Sequence, residues 1–334
     1  MKKLSVCVIF DGTQDAPEAE ARSAAYILRC LDREKYNLFP VGITEDGDWV
    51  LYGGDDPAQV EDGSWRSHPN NRRAAISPVR DQGLLSFERD CVVREWIDVA
   101  IPVPGVSNDH AGALQGLLEL AGIPCVGASV SSAVTADRSL TRLVGHHLGW
   151  RQTKWATVHI RELDNAPEAV LDDLSRKLAY PMLVRSMERN AAEMGWKADD
   201  RTGLKDRLVK AAANTQRILV EACLNGCPLR VAVMGNGNPM ASECGVVGDD
   251  PVSEEIREQA REMAVRIYSA MNCRGMVCVS FVVEQTTGEL FFSDLDPFPE
   301  FSEGSFCIQL FDASGFSGPE LLEELLKRAM EERR

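Results

Sequence analysis

The sequence predicts an α/β protein with an open parallel-sheet domain at the N-terminus, followed by two α+β subdomains. In the first part, apolar strand-like runs at residues 4–10, 36–43 and 97–103 are interleaved with helical patterns such as residues 114–121. Strands that alternate with helices are typical of a parallel sheet built from βαβ units. We expect this first domain to span residues 1–137.

The pattern changes after the first domain. Strand-like segments at residues 182–185, 218–221 and 229–234 follow one another, and the last begins after the turn signal Asn225-Gly226. Strands joined by short turns pair antiparallel. The expected subdomains are a central one over residues 138–228 and a C-terminal one over residues 229–334.

Two further segments have distinct signals. An amphipathic pattern predicts a long helix over residues 254–271, followed by a hairpin of strands at residues 276–283 and 289–294. Residues 53–73 are rich in Gly, Asp, Asn and Pro, which predicts a long irregular excursion from the first domain.

The net charge of the chain disfavours two classes of binding partner. The 334 residues carry a net charge of −15, from 36 Lys plus Arg against 51 Asp plus Glu. Such an excess of negative charge disfavours nucleic acid and anionic membrane surfaces. No apolar run approaches the roughly 20 residues that a membrane-spanning helix needs.

The ten cysteines favour a reducing compartment. They form no CxxC pair, and several lie within apolar strand-like runs, as Cys7, Cys125 and Cys278 do. Buried reduced thiols are the simplest interpretation. The apolar run after Lys3 ends at Asp11, too early for a signal peptide, so we expect a cytoplasmic protein.

Several blocks of sequence resemble one enzyme family. Leu-Gln-Gly-Leu-Leu-Glu at residues 114–119, Ala-Asp-Arg-Ser-Leu-Thr at 136–141, the strand at 218–221 and Cys-Arg-Gly at 273–275 occur in this order. Together they resemble the D-alanine–D-alanine ligases of the ATP-grasp superfamily. Residues 76–85 resemble the longer members, which include the D-alanine–D-lactate ligases.

The resemblance implies an ATP-grasp fold and a two-step reaction. ATP phosphorylates the carboxylate of one D-amino acid, and the amine of a second attacks the acyl phosphate. This chemistry uses Mg²⁺ between carboxylates and phosphates, cations on the transferring group, and donors around the oxyanion. The resemblance also implies a homodimer formed through the first domain, on the helix that carries Ala24, Ala25 and Leu28.

The phosphate site that the resemblance implies is only partly retained. Arg138 and Arg185 stand where the family has two lysines, so they are candidate catalytic and cofactor-binding residues for ATP. Either could equally be a solvated or ion-paired surface arginine. The family's glycine-containing phosphate loop corresponds to residues 190–194, which contain no glycine and add the negative charge of Glu193.

The adenine end of the implied ATP site is better retained. Glu221 and Leu224 match the family's adenine-contact segment and are candidate cofactor-binding residues. Pro228 replaces the glutamate that usually holds the ribose. Glu221 could alternatively cap an exposed strand edge.

The metal site that the resemblance implies has changed ligands. Ser280, Asp294 and Asp296 stand where the family has Asp, Glu and Asn, and Asp294 with Asp296 are the candidate metal ligands. Mg²⁺ requires oxygen ligands in near-ideal octahedral geometry, so this set would have to rearrange. The alternative is an acidic loop end that binds no metal.

The substrate end differs most from the family. Its substrate-contact residues correspond to Ala16, residues 104–105 and residues 110–113, and its oxyanion arginine corresponds to Cys278. Ser305 is retained where the family contacts the second substrate's carboxylate, which makes it a candidate catalytic residue. A serine at a helix start is also a common N-cap.

This chain also lacks most of the segment that forms a lid over the reaction centre in the family. The family carries a lysine and a tyrosine on a mobile element, where this chain has only residues 244–253. Without a lid, water would reach an acyl phosphate.

Two hypotheses for the function follow from these comparisons of residues. The first is an ATP-dependent ligase with a remodelled site, in which Arg138, Arg185, Asp294 and Asp296 bind ATP, Mg²⁺ and a D-amino acid. The second is a non-catalytic ligand-binding or regulatory homologue, that is, a pseudoenzyme. The substitutions together predict that the parent ligase activity is reduced or lost.

Overall fold

The computed structural model describes residues 3–11, 18–103, 112–187, 195–213, 215–248 and 250–331. Within these ranges the strands form three sheets. The helices are, in chain order, α1 (Glu18–Cys30), α2 (Pro57–Glu61), α3 (Ala113–Ala121), α4 (Val130–Ala133), α5 (Arg138–His147), α6 (Ile160–Asn165), α7 (Pro167–Lys177), α8 (Arg201–Ala212), α9 (Glu254–Ala270), α10 (Phe306–Ala313) and α11 (Gly318–Glu331).

The first sheet is mixed rather than parallel throughout. Its strands are β1 (Leu4–Asp11), β2 (Tyr36–Ile43), β3 (Trp49–Leu51), β4 (Arg72–Ile76), β5 (Leu84–Phe87), β6 (Val92–Glu95) and β7 (Val99–Pro102). β1 is parallel to β2 and to β7, whereas the pairs from β2 to β6 are antiparallel. Short turns, such as the one at Gly47 with φ of 78°, permit only antiparallel pairing. The predicted α/β class and the parallel pairing of β1 are therefore confirmed, and the antiparallel strands β3 to β6 extend this sheet.

The segment predicted to be irregular is largely ordered. Residues 53–73 contain α2, a 3-10 turn at Ser64–Ser67 and the start of β4. The Asp56 side chain caps α2 by accepting from the Ala58 N–H, and Pro57 occupies the first turn, where its missing N–H costs nothing. The segment also contributes Trp65 to the core, where the side chain is 1% exposed.

The second sheet is antiparallel and has its own core. Its strands are β8 (Trp155–His159), β9 (Met182–Ser186), β10 (Trp196–Ala198) and β11 (Arg217–Ala222), in the order β10-β9-β11-β8. Apolar side chains from α7, α8 and the strands form one buried cluster, which includes Leu171, Leu204 and Val220. β11 is an inner strand, so its side chains are flanked on both sides.

The third sheet has two buried faces. Its strands are β12 (Gly226–Gly235), β13 (Met240–Val246), β14 (Gly275–Glu284) and β15 (Leu290–Asp296), in the order β13-β12-β14-β15. One face packs on α9 through residues such as Val279 and Ile267. The opposite face includes Ala232 and Cys278, and its core continues into β1, α10 and α11. The first and third sheets thus share a core.

The helix expected to form a homodimer buries three of its residues against the core. Ala24, Ala25 and Leu28 of α1 are at most 4% exposed. Ala24 and Leu28 belong to the core shared with β1 and α11, because the alternation of small and large apolar residues places them on the inner face of the helix. These three residues are therefore buried within the protomer, and the homodimer through the first domain stays a prediction.

The cysteines are free, as expected, but not all are buried. None of the ten forms a disulfide, and six of them lie in the core. Burial raises the pKa of Cys7 to about 12, which keeps that thiol protonated at neutral pH. Cys91 is exposed, contrary to the expectation. Among the described residues, no helix is long and apolar enough to span a membrane.

Candidate functional site between the second and third sheets

Helix α5 carries two arginine side chains on its buried face. Arg138 and Arg142 are buried on its inner face, while Leu140 and Leu143 are exposed. The two arginines are four residues apart, so their side chains lie on the same face of the helix, one turn from each other. α5 therefore presents two guanidinium groups to the space between the second and third sheets.

Arg138 joins the two sheets. Its Nε donates to Oδ2 of Asp294 on β15 at 3.2 Å, and its Nη1 donates to the carbonyl oxygen of Ser186 on β9 at 2.8 Å. Nη1 of Arg185 on β9 lies 3.9 Å from the same oxygen of Asp294. The hypothesis that these arginines are solvated surface residues is wrong, because their side chains are 10% and 14% exposed. They are ion-paired and buried.

Glu221 pairs with two arginines at the centre of the cluster. Its Oε2 accepts from Nη2 of Arg142, and its Oε1 lies 3.2 Å from Nε of Arg185. Nη2 of Arg142 also donates to the carbonyl oxygen of Ser293 on β15 at 2.8 Å. Glu221 is 3% exposed on an inner strand, so the alternative of an exposed strand-edge cap is wrong.

We call Arg138, Arg142, Arg185, Glu221 and Asp294 the arginine cluster. Its three guanidinium groups outnumber its two carboxylates, so the cluster carries a net positive charge in a strongly acidic protein. Three of its buried atoms, Arg142 Nη1, Arg185 Nε and Glu221 Oε1, have no hydrogen-bond partner in the part of the chain that the structure describes. The 3.2 Å contact between Arg185 and Glu221 is therefore an ion pair without hydrogen-bond alignment. Unsatisfied N–H groups of this kind suit an anionic ligand.

The sequence identified four members of the cluster and missed Arg142. A signal for Arg142 was available, because it follows Arg138 by four residues, the spacing that places two side chains on one face of a helix. Its pairing with Glu221 could not be predicted from sequence, since the two residues come from different parts of the chain.

The two predicted metal ligands contact other groups of the protein. Asp294 and Asp296 lie beside Ser280 and Cys278, respectively, in the register of β14 and β15. Asp294 is held by Arg138, and Oδ1 of Asp296 accepts from the Phe298 N–H at 3.0 Å. No group of three or more His, Cys, Asp or Glu that could hold a metal occurs in the described part of the chain. An Mg²⁺ ion held by these one or two carboxylates would have to compete with the protein groups that already contact them.

Two residues of the predicted substrate end, Ser305 and Cys278, are buried. Ser305 is 7% exposed, and its Oγ donates to the carbonyl oxygen of Glu300 at 3.0 Å. It occupies the N-cap position of α10, but its side chain makes no capping hydrogen bond there. Cys278 is buried in the core shared with β1. The hydrogen bond to the thiol of Cys278 and burial raise the pKa of Cys307 well above its usual value.

The remaining predicted residues lie elsewhere or cannot be placed. Leu224 is half-buried in the turn between β11 and β12 and is not part of the arginine cluster. The predicted substrate and phosphate-loop positions at Ala16, residues 104–105, residues 110–111 and residues 190–194 lie outside the described residues.

Asp137 caps the N-terminus of α5, and its replacement tests how much the cap stabilises the protein. Its Oδ1 accepts from the backbone N–H groups of Ser139 and Leu140, and its Oδ2 accepts from Nη2 of Arg217. Burial opposes ionisation, but the hydrogen bonds from Ser139 and Arg217 outweigh it and hold the pKa of Asp137 below its usual range. We expect Asp137→Ala to lower the free energy of unfolding by about 1 kcal/mol at pH 7, because a helix cap is lost.

The pH dependence of this loss follows from the direction of the pKa shift. A lowered pKa stabilises the folded protein above the ordinary carboxyl pKa of roughly 4, and the contribution disappears as the pH falls through the lower folded value. Urea unfolding of both proteins should therefore show a difference that narrows between pH 5 and pH 3. A difference independent of pH would contradict the role of the ionised carboxylate.

The comparison with known proteins identifies the family. The sequence matches the family described as D-ala D-ala ligase N-terminus over residues 5–128, and the one described as D-ala D-ala ligase C-terminus over residues 144–251 and 246–327. The chain belongs to the D-alanine–D-alanine ligase family. The predicted resemblance is confirmed.

Similar ligases cover nearly the whole chain. The D-alanine–D-alanine ligase of Ruminiclostridium cellulolyticum is 31% identical over 366 residues, which cover 99% of this chain and 96% of the relative. Two solved structures superpose with a TM-score of 0.85, the VanG D-Ala:D-Ser ligase of Enterococcus faecalis (22% identity) and the D-alanine–D-alanine ligase of Coxiella burnetii (24% identity). They cover 98% and 100% of this chain and 100% and 95% of their own chains. The predicted ATP-grasp fold of the D-alanine–D-alanine ligase family is thereby confirmed.

Proposed function

We propose that this protein is a D-alanine–D-alanine ligase-like ATP-grasp protein with a degenerate active site and a reduced or lost ligase activity. One observation carries the proposal: Asp294, the carboxylate expected to bind Mg²⁺, is held by Arg138 and lies near Arg185. A carboxylate that is paired with guanidinium groups is a poor ligand for a divalent cation, because the cation would have to displace them.

Two further features support the loss of activity. Cys278 stands where the family has its oxyanion arginine, and a buried thiol cannot supply that positive charge. Only residues 247–253 separate β13 from α9, the interval in which the family carries its lid. The alignment with the Ruminiclostridium ligase extends over 366 residues, more than the 334 of this chain, which agrees with a shortened segment.

The alternative within this proposal is a non-catalytic ligand-binding or regulatory homologue. The arginine cluster favours it, because buried guanidinium groups with unsatisfied N–H donors suit anion binding and require no reaction. An ATP ligand would place its phosphates near Arg138 and Arg185, with Glu221 and Leu224 toward the base. We further propose the domain limits 1–137, 138–228 and 229–334, a cytoplasmic location and a homodimer.

The proposal predicts no dipeptide synthesis. Purified protein with ATP, Mg²⁺ and D-alanine should release no phosphate above background and form no D-alanyl-D-alanine, because no bound cation offsets the charge of the transferring phosphoryl group. Phosphate release and mass spectrometry of the products measure this. The Ruminiclostridium ligase, assayed in parallel, is the positive control. Sustained dipeptide formation by this protein would show that the substituted site is still a working ligase.

A further inference from the structure

Arg230 lies in the row of the third sheet where the metal ligands were expected. In the register of the strands, Arg230 on β12 is beside Ser280 on β14, and Ser280 is beside Asp294 on β15. Adjacent strands are about 4.8 Å apart, and residues opposite each other point to the same face of a sheet. A guanidinium group and a carboxylate therefore flank the serine that replaces the expected metal-binding aspartate.

Among the described residues, Arg230 contacts an aromatic ring and no carboxylate. Its guanidinium lies over the ring of Phe306, 5.2 Å from the ring centroid. Within the described residues, the half-buried Arg230 side chain forms no ion pair. Stacking on an aromatic ring orients a guanidinium group but leaves its N–H donors available.

The charges of the arginine cluster and of this face of the third sheet together favour an anion. The guanidinium groups of the arginine cluster and of Arg230 number four, against the three carboxylates of Glu221, Asp294 and Asp296. A divalent cation would add positive charge to a site that already has an excess, whereas a polyphosphate would neutralise it.

We propose that Arg230 takes the place of the metal, so that the cleft binds a phosphate-bearing anion without Mg²⁺. The proposal rests on the proposed loss of the magnesium site. It assigns the ligand class as a polyphosphate, either free or as part of a nucleotide. Arg230 and the arginine cluster supply the positive charge that Mg²⁺ supplies in a working ligase.

Calorimetric titration of the intact protein tests this assignment. The titrants are inorganic triphosphate and ATP, each in EDTA and again with excess Mg²⁺. We expect binding in EDTA and weaker binding with Mg²⁺, because Mg²⁺ masks the phosphate charge in solution. Equal affinities for triphosphate and ATP identify a free polyphosphate as the ligand chemistry, and tighter ATP binding identifies a nucleotide.

A pair of variants tests the role of Arg230. Arg230→Gln should weaken triphosphate binding in EDTA by about tenfold or more, the usual effect of removing one charge-assisted contact. Arg266→Gln changes the net charge equally, but Arg266 is exposed on α9 beside Glu262, so this control should bind like the unmodified protein. Circular dichroism and thermal unfolding establish that both variants are folded.

The outcomes separate this inference from the proposed function. Binding that requires Mg²⁺, absence of binding in both conditions, or an Arg230→Gln variant with unchanged affinity would each overturn the role of Arg230. If binding requires Mg²⁺ and no dipeptide is made, only this inference fails. If dipeptide is made, the proposed function fails as well.

Discussion

Replacing Glu221 by alanine is expected to lower the free energy of unfolding by about 3–5 kcal/mol, the usual loss when one partner of a buried ion pair is removed. The side chain of Glu221 is 4% exposed and contacts Arg142 and Arg185. Without it, two buried guanidinium groups would face each other across the cleft. Urea unfolding at pH 7, followed by circular dichroism, measures the change.

Two comparisons make this prediction specific. Glu168→Ala removes a glutamate that pairs with Arg201 and Lys205 on the surface, and it should cause only a small fraction of the loss. A double variant, Glu221→Met with Arg142→Met, should be more stable than Glu221→Ala. It removes Arg142 together with its partner Glu221, so the positive charge of Arg142 is not left buried and unpaired. Equal losses for Glu168→Ala and Glu221→Ala would mean that the arginine cluster does not hold the two sheets together.

Replacing Trp65 by alanine is expected to cost about 3–5 kcal/mol through loss of buried apolar surface and formation of a cavity. The indole is 1% exposed and packs edge-on against Phe10 and Tyr52, with ring centroids 5.1 and 6.4 Å away. It also fills the space above Gly42, where an added Cβ would clash with the indole ring. Thermal unfolding should show a correspondingly lower midpoint.

Trp96 provides the matched control for this substitution. Its side chain is 40% exposed and does not belong to the core shared by the first and third sheets, so Trp96→Ala should have a much smaller effect. If Trp65→Ala and Trp96→Ala destabilise the protein equally, Trp65 does not contribute to the core shared by the first and third sheets as proposed.

The sequence predicted the regular elements well and the first sheet less well. The helix expected at residues 254–271 and the hairpin after it are present as α9, β14 and β15, because periodicity and turn residues are local signals. The segment around Trp65 was misjudged for a physical reason. Its Gly, Asp and Asn residues do form turns, but a single buried indole fixes those turns through contacts with β1, which lies far away in the sequence.

The candidate site shows the same limit. Arg138, Arg185, Glu221 and Asp294 were identified one by one from the resemblance, and the structure brings all four together. Their mutual pairing was not predicted, because it depends on the spacing between two sheets that the sequence does not encode locally. Ser305 and Leu224 lie outside the cluster, so their predicted roles stay predictions.

The core shared by the first and third sheets has a consequence for folding during synthesis. Val6 and Val8 of β1 pack in the same buried cluster as Leu321 and Leu325 of α11, which lies at the other end of the chain. Domains usually fold as they leave the ribosome, N-terminal first. Here α1 can cover β1 early, but part of the apolar surface of the first domain stays uncovered until α11 has been translated, because α11 packs on α1 and β7. We therefore expect fragments that end before α11 to expose this surface and to aggregate more readily than the full chain.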